Sequence, residues 1–156
     1  MSAAQPSLEL LSRLAPRLAP HGIDVASAQA LSGGASQELW RILVRSPGGE
    51  TPVVLRRTPE HRLQSALSIP IELEAELIAS AHAAGVPSPR ILYLLRPDDG
   101  LGRGFFMEHV NGEALGQRVV RHESVAAARP KLARQCGAIL ARIHQLKRPS
   151  ALPLPP

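Results

Sequence analysis

The stretch "TPVVLRRTPEHR", residues 51–62, combines a β-branched run, two arginines and a polar segment that contains a proline. β-Branched residues favour strands, and successive side chains of a strand point to opposite faces. Val54 and Arg56 therefore share one face, and Arg57 lies on the other. A face with an aliphatic residue followed by a cation can roof a flat base and hold a phosphate. The same pattern also describes an edge strand whose last two residues reach water, and the stretch alone does not decide between them.

Two further strand-like segments precede this one. Residues 28–32, 38–45 and 52–57 are separated by the turn sequences "GGAS" and "SPGGE", which predicts an antiparallel meander of three strands. In the second segment, Trp40 and Ile42 fall on one face with Val44.

Helical patterns flank the meander. Residues 7–22, "SLELLSRLAPRLAPHG", predict an amphipathic helix that is capped by Ser7, interrupted at Pro16 and finished by the end of this segment. After the meander, Pro70 suits the first turn of a second helix, and Gly85 suits its C-terminal end. The predicted apolar stripe of this helix comprises Leu73, Leu77, Ala81 and Ala84.

The second half of the chain begins with strands and continues with helices. Residues 86–112 predict two strands around a "PDDG" turn. Residues 113–124 and 130–147 are helical in character, and 148–156 form a proline-rich end. Cys136 lies on the apolar face of the last helix and is expected to be a small core residue. That face comprises Leu132, Cys136, Ile139, Leu140, Ile143 and Leu146.

Composition limits the class of protein. No apolar run approaches the roughly 18 residues that cross a bilayer, and the start lacks the pattern of a secretion signal, so a cytoplasmic location without membrane partners is expected. The single Cys136 excludes an internal disulfide, and no Cys/His spacing indicates zinc. A net charge of +5 suits an anionic partner, and a solvated basic surface has the same charge. Aromatic residues at only 3% argue against nucleic acid, because stacking on rings supports single-strand recognition.

Three segments supply parts that nucleotide binding needs. "LSGGASQELW", residues 31–40, places a glycine pair where backbone amides can approach phosphate, although a plain hairpin turn has the same pattern. In the second helix, Glu74 shares a side with Ile78 and Ala81, so it can face the sheet and fix an arginine; the alternative is a solvated glutamate. "GFFMEHVNG", residues 104–112, leaves an apolar strand for a polar backbone, as a hinge beside an adenine edge would.

With these segments in this order, the sequence resembles the N-terminal lobe of the aminoglycoside phosphotransferase-like enzymes. These enzymes share the protein-kinase fold and phosphorylate small molecules. The resemblance implies an α+β lobe with a five-stranded antiparallel sheet and one packed helix over residues 1–110, with a leading helix in 1–22. Residues 111–147 would be the hinge exit and the first helices of a C-terminal lobe, followed by the tail at 148–156. The matching segments are "LSGGASQELW", "VVLRR", "IELEAELIASAHAAGVPSPRILYL", "GFFMEHVNGE" and "LARQCGAILARIHQL".

The resemblance also implies ligands and roles. ATP or GTP with magnesium would be the cofactor, and Arg56 would stand where the strand lysine of kinases pairs with phosphate and with a helix glutamate, here Glu74. Arginine in place of lysine is a departure from the kinase pattern. The implied nucleotide contacts are Gly33, Gly34, Ala35 and Ser36 over the phosphates, Val54, Arg56 and Glu74 beside them, and Met107, Glu108, His109 and Val110 at the base.

A second departure concerns the acidic residues. Phosphoryl transfer in this fold uses an aspartate near the acceptor hydroxyl, and an asparagine and a further aspartate for magnesium. The only aspartates are Asp24, Asp98 and Asp99, and none follows Asn111, the only asparagine. The "HGID" at residues 21–24 precedes the first predicted strand and does not supply the family's "HGD" motif. The sequence therefore predicts a truncated or split family member, with neither catalytic residues nor metal ligands in this chain.

Two other classes of function are open. The apolar face of the last helix predicts an interaction module that dimerises or docks a separate lobe, because such a face would otherwise lie in water. A nucleic-acid binder is the other possibility, and its binding would weaken steeply with salt. The basic residues available for it, which also suit the polar side of solvated helices, are Arg118, Arg121, Arg129, Lys131 and Arg134.

Overall fold

A computed structural model describes residues 4–19, 23–31, 37–58 and 69–147. Within these ranges the chain forms one antiparallel sheet in the order β1-β2-β3-β5-β4, together with four α-helices. This architecture confirms the predicted α+β fold with a kinase-like N-terminal lobe. The strands are β1 (Asp24–Ala30), β2 (Glu38–Ser46), β3 (Gly49–Thr58), β4 (Ile91–Leu94) and β5 (Arg103–Glu108).

The first strand is longer than the sequence pattern predicts. β1 begins at Asp24 rather than at residue 28, because its first residues pair with the end of β2, Asp24 opposite Arg45. The Arg45 guanidinium also lies 3.3 Å from the Asp24 carboxylate. Cross-strand pairing thus overrides the weak strand propensity of this alanine- and serine-containing segment.

One face of the sheet, here called the outer face, carries Trp40, Ile42 and Leu55. Helix α1 (Ala4–Leu18) buries Leu10 and Leu14 against it. The structure thus adds a second packed helix to the single one predicted. α1 also corrects the predicted bounds: it begins before Ser7, which is therefore not its cap, and it continues through Pro16. Pro16 lies in the last turn, where only two helical residues follow the lost hydrogen bond.

The opposite, inner face packs against helix α2 (Ile71–Ala83). Ile71 and Ala75 are buried against Phe105 of β5, and Ile78 packs beside them. The helix residues packed beside Phe105 are therefore Ile71, Ala75 and Ile78; of the predicted stripe, Leu73 is buried, whereas Ala84 is exposed. The helix ends as predicted, since Gly85 adopts φ +77°, a conformation that glycine accommodates readily.

Helices α3 (Gly116–Arg121) and α4 (Arg129–His144) follow the sheet. α4 contains no buried residue, and Leu140 and Ile143 of its apolar face are 51% and 42% exposed. The expectation that Cys136 is a core residue is wrong, because its side chain is exposed. None of the helices in the described ranges is long and apolar enough to cross a membrane.

Candidate functional site

The inner face carries the ion pair that the sequence suggests between the third strand and the second helix. Nη2 of Arg56 lies 2.7 Å from Oε1 of Glu74, and the two side chains are only 30% and 20% exposed. Strand alternation places Arg56 on the same face as Val54, and Glu74 lies one helical turn before Ile78, which packs against the sheet. The pair therefore follows from the periods of a strand and a helix that pack together.

A third residue holds the same arginine, and sequence reasoning missed it. Nε of Arg56 donates to the side-chain oxygen of Gln37 at 2.5 Å. Gln37 directly precedes β2, whose residue Leu39 is opposite Arg56 in the ladder. The feature of the sequence that could have indicated this contact is an amide side chain shortly after the glycine pair and two residues before Leu39. Arg56 is thus held at two of its nitrogens, and its Nη1 has no partner among the described residues.

The next arginine, Arg57, is fixed on the outer face. Its Nε donates to the Glu38 carboxylate at 3.0 Å, and the same carboxylate accepts from Trp40 Nε1 at 3.1 Å. Arg57 also donates to the carbonyl of Leu101 at 3.3 Å. The two adjacent arginines are therefore paired on opposite sides of the sheet, and only Arg56 lies on the side of α2.

A second ion pair fastens α2 to the sheet. Nη2 of Arg103 in β5 lies 2.5 Å from Oε2 of Glu72, and Nε lies 2.7 Å from Oε1, so the contact is bidentate. These hydrogen bonds from Arg103 lower the pKa of Glu72, although partial burial opposes the shift. Glu72 and Glu74 thus connect α2 to two different strands.

An apolar cleft opens beneath the inner face. Its volume is about 750 Å³, within the range of small-ligand sites. Leu39, Val54 and Met107 lie on its sheet side, and Val54 and Met107 are opposite each other in the ladder. Residues 109, 110 and 112–115, after β5, also line it. Val54 is 5% exposed, so the cleft has a packed aliphatic roof.

The residues after β5 leave backbone groups available at this cleft. The amide of Glu108 donates to the carbonyl of Arg90 at 2.9 Å, so it is already used. The amides of His109 and Val110 donate to no other described residue. Nδ1 of His109 is buried and has no hydrogen-bond partner in the described part of the chain. Buried polar atoms normally have partners, so this edge of the cleft fits a ligand with donors and acceptors, such as a nucleobase.

The structure does not describe the predicted phosphate contacts of the glycine-rich segment. Gly33, Gly34, Ala35 and Ser36 lie outside the described residues. Within the described ranges, no three His, Cys, Asp or Glu side chains converge on a possible metal site. The cleft therefore combines an aliphatic roof with backbone amides that have no partner among the described residues.

The comparisons with known proteins agree with this geometry. A five-stranded antiparallel sheet with an arginine–glutamate ion pair between β3 and α2 is the arrangement of a kinase-like small lobe. Residues 27–155 match the model of the phosphotransferase enzyme family (APH), which is most of the 156 residues, and the chain belongs to this family. The resemblance to the aminoglycoside phosphotransferase-like enzymes is thereby confirmed. No curated protein and no solved structure matches the chain.

Proposed function

We propose that this chain is the nucleotide-binding part of a small-molecule phosphotransferase. The observation that supports this most directly is the Arg56–Glu74 ion pair beside an apolar cleft of nucleotide size. Val54 and Met107 would contact the base, the backbone after Glu108 would meet its polar edge, and Nη1 of Arg56 would hold a phosphate. A planar guanidinium suits phosphate oxygens, and the glutamate limits its side-chain freedom.

ATP or GTP, when bound, supplies the phosphoryl group, and the family generally uses ATP with magnesium. Transfer also needs an aspartate at the acceptor and oxygen ligands for the metal. No aspartate or asparagine follows Asn111 in the sequence. We therefore propose that these 156 residues bind the nucleotide and require acidic residues from another lobe for phosphoryl transfer.

Calorimetric titration of the purified chain with ATP and with GTP tests the binding step. We expect saturable binding that changes little when magnesium is added, and no phosphate transfer to amino-alcohol acceptors. Arg56→Met should weaken binding by about tenfold, the effect of losing one charge-assisted phosphate contact of ~1.4 kcal/mol. Arg57→Met is the matched control, because it removes the neighbouring arginine from the outer face.

Absence of saturable binding, or equal weakening by the two arginine variants, would contradict the nucleotide site. Magnesium-dependent transfer of phosphate from ATP by the 156-residue chain would contradict only the second part of the proposal.

A second candidate function is an interaction through α4. The exposed Leu140 and Ile143 favour it, since an amphipathic helix ordinarily buries its apolar face. On this proposal, the helix pairs with a second copy of the chain or with a separate lobe. Sedimentation should show a concentration-dependent dimer that Leu140→Glu disrupts and Gln135→Glu, on an exposed residue of the same helix, does not. A strictly monomeric chain would exclude the dimer.

A further inference from the structure

A second cavity lies on the outer face, behind the cleft. It is about 280 Å³ in volume, is partly open to solvent, and is bounded by α1, the outer face of the sheet and the segment around the 97–99 turn. Val53 lines it, whereas the next residue, Val54, lines the cleft. The two cavities share no lining residue, so a ligand in one does not occupy the other.

The walls of this outer cavity are almost entirely apolar. They include Leu14 and Leu18 of α1, Val44 and Val53 of the sheet, and Phe106 of β5. An apolar cavity of about 150 Å³ is sufficient for benzene, so this one has room for a single ring with a short chain, or for a branched chain of similar size. The occupant that suits these walls is therefore a small apolar body.

The rim of the outer cavity is polar and carries two charged side chains, Arg17 and Asp99, which differ in how many hydrogen bonds they form. Oδ2 of Asp99 accepts from Tyr93 Oη at 3.1 Å and from the amide of Arg96 at 2.7 Å. Arg17 donates from Nη1 to the carbonyl of Asp98, and Nη1 is 4.0 Å from the Asp99 carboxylate. Nε and Nη2 of Arg17 donate to no other described residue, and the side chain is 44% exposed. Arg17 and Asp99 thus form a long ion pair at the rim, in which Nε and Nη2 of Arg17 still offer hydrogen-bond donors and the carboxylate already accepts from Tyr93 and Arg96.

From this arrangement we infer that the outer cavity binds a small apolar monocarboxylate. The hydrocarbon part fills the space between α1 and the sheet, and the carboxylate accepts hydrogen bonds from Arg17. An amine in the same place would be repelled by Arg17 and would compete with Tyr93 and Arg96 for Asp99. A neutral amide would gain only the weaker uncharged hydrogen bond.

A matched ligand series tests the inference: 3-phenylpropionate, 3-phenylpropionamide and 3-phenylpropylamine, each titrated into the full chain and followed by calorimetry and by amide chemical shifts. We expect the carboxylate to bind about tenfold more tightly than the amide, as one charge-assisted contact implies. The amine should bind most weakly. Shifts should concentrate on α1 and β4, and saturating carboxylate should leave the ATP affinity unchanged.

Two variants act on separate parts of the site. Arg17→Gln should reduce carboxylate affinity to that of the amide, and Arg13→Gln, on the preceding turn of α1, should not. Val53→Phe should fill the cavity and abolish binding of all three ligands. If Val53→Phe fails to fold, Arg17→Gln with its control still decides the question, because that side chain is partly exposed.

Equal affinities for the three ligands, no binding of any of them, or an unchanged carboxylate affinity in Arg17→Gln would each overturn the inference. Displacement of the carboxylate by ATP would overturn it as well, since it would place the ligand in the cleft. Failure of ATP binding with retained carboxylate binding would affect only the proposed nucleotide site.

Discussion

Oε1 of Glu74 lies 2.7 Å from Nη2 of Arg56, so an ion pair joins helix α2 to the central strand of the sheet. The two residues are 18 positions apart in sequence, and they meet because the strand and the helix present them to the same space. In the proposed site, this contact fixes the position of the guanidinium that would bind a phosphate.

Glu74→Gln should weaken ATP binding about fivefold, because a partly exposed ion pair contributes up to ~1 kcal/mol and the arginine would lose its orientation. Combined with Arg56→Met, the glutamine substitution should have no further effect, since the two residues act as a unit. Titration of the single and double variants with ATP measures this coupling. Glu76→Gln, at an exposed glutamate of the same helix, is the control, and additive losses would contradict the coupling.

Gln37 is predicted to position Arg56 rather than to contact the base. Gln37→Met keeps the side-chain length but removes the oxygen that accepts from Nε of Arg56, so ATP affinity should fall about fivefold. Adenosine affinity should not change, because adenosine carries no phosphate. Parallel titrations with ATP and adenosine check the difference, and an equal loss for both ligands would show that Gln37 acts on the base or on the fold.

The ion pair between Glu72 and Arg103 should make the free energy of unfolding depend on pH in the acidic range. The pKa of Glu72 is lowered in the folded chain, mainly by hydrogen bonds from Arg103, so the carboxylate binds its proton less readily when folded than when unfolded. The ion pair therefore stabilises the fold above the ordinary glutamate pKa of about 4.3, and this contribution disappears as the pH falls through the lower folded value.

Denaturant unfolding of wild type and Glu72→Gln across this pH range measures the effect. The wild type should be the more stable at pH 7, and the two should converge in acid. The difference should be modest and should shrink with salt, because both side chains are partly exposed. A difference that persists unchanged below the glutamate range would contradict the assignment to this carboxylate.

The sequence predicts the elements of the inner face well, because their residues follow local rules. Strand alternation indicates which residues share a face with Arg56, and Pro70 and Gly85 mark the ends of α2 to within about a residue. The segment order then indicates a sheet with a helix against it. The match to the family model agrees with this fold.

Other features depend on contacts that local pattern does not contain. The first residues of β1 are strand only because β2 continues far enough to pair with them. The stripe of α2 is displaced toward Ile71 and Ala75 because Phe105 is the residue it meets. Gln37 was missed because an amide before a strand has many uses, and only its contact with Arg56 in the folded chain shows which one applies.

The close approach of β5 to β3 gives the last prediction. A Cβ added at Gly104 would collide with the carbonyl oxygen of Arg56 and lie 2.8 Å from Cα of Arg57, both fixed by the sheet. Gly104→Ala should therefore force the strands apart and reduce the free energy of unfolding by about 2 kcal/mol, as overpacking does. ATP binding should weaken as well, because the displaced backbone carries Arg56.

Gly137→Ala is the matched control, since a Cβ at this α4 position meets nothing within 4 Å and alanine favours a helix. It should leave ATP binding unchanged and raise the free energy of unfolding by about 0.5–1 kcal/mol. Denaturant unfolding and ATP titration of both variants make the comparison. A stable Gly104→Ala chain with full ATP affinity would contradict this prediction. It would mean that β3 and β5 can separate without moving Arg56 on the inner face or Arg57 on the outer face.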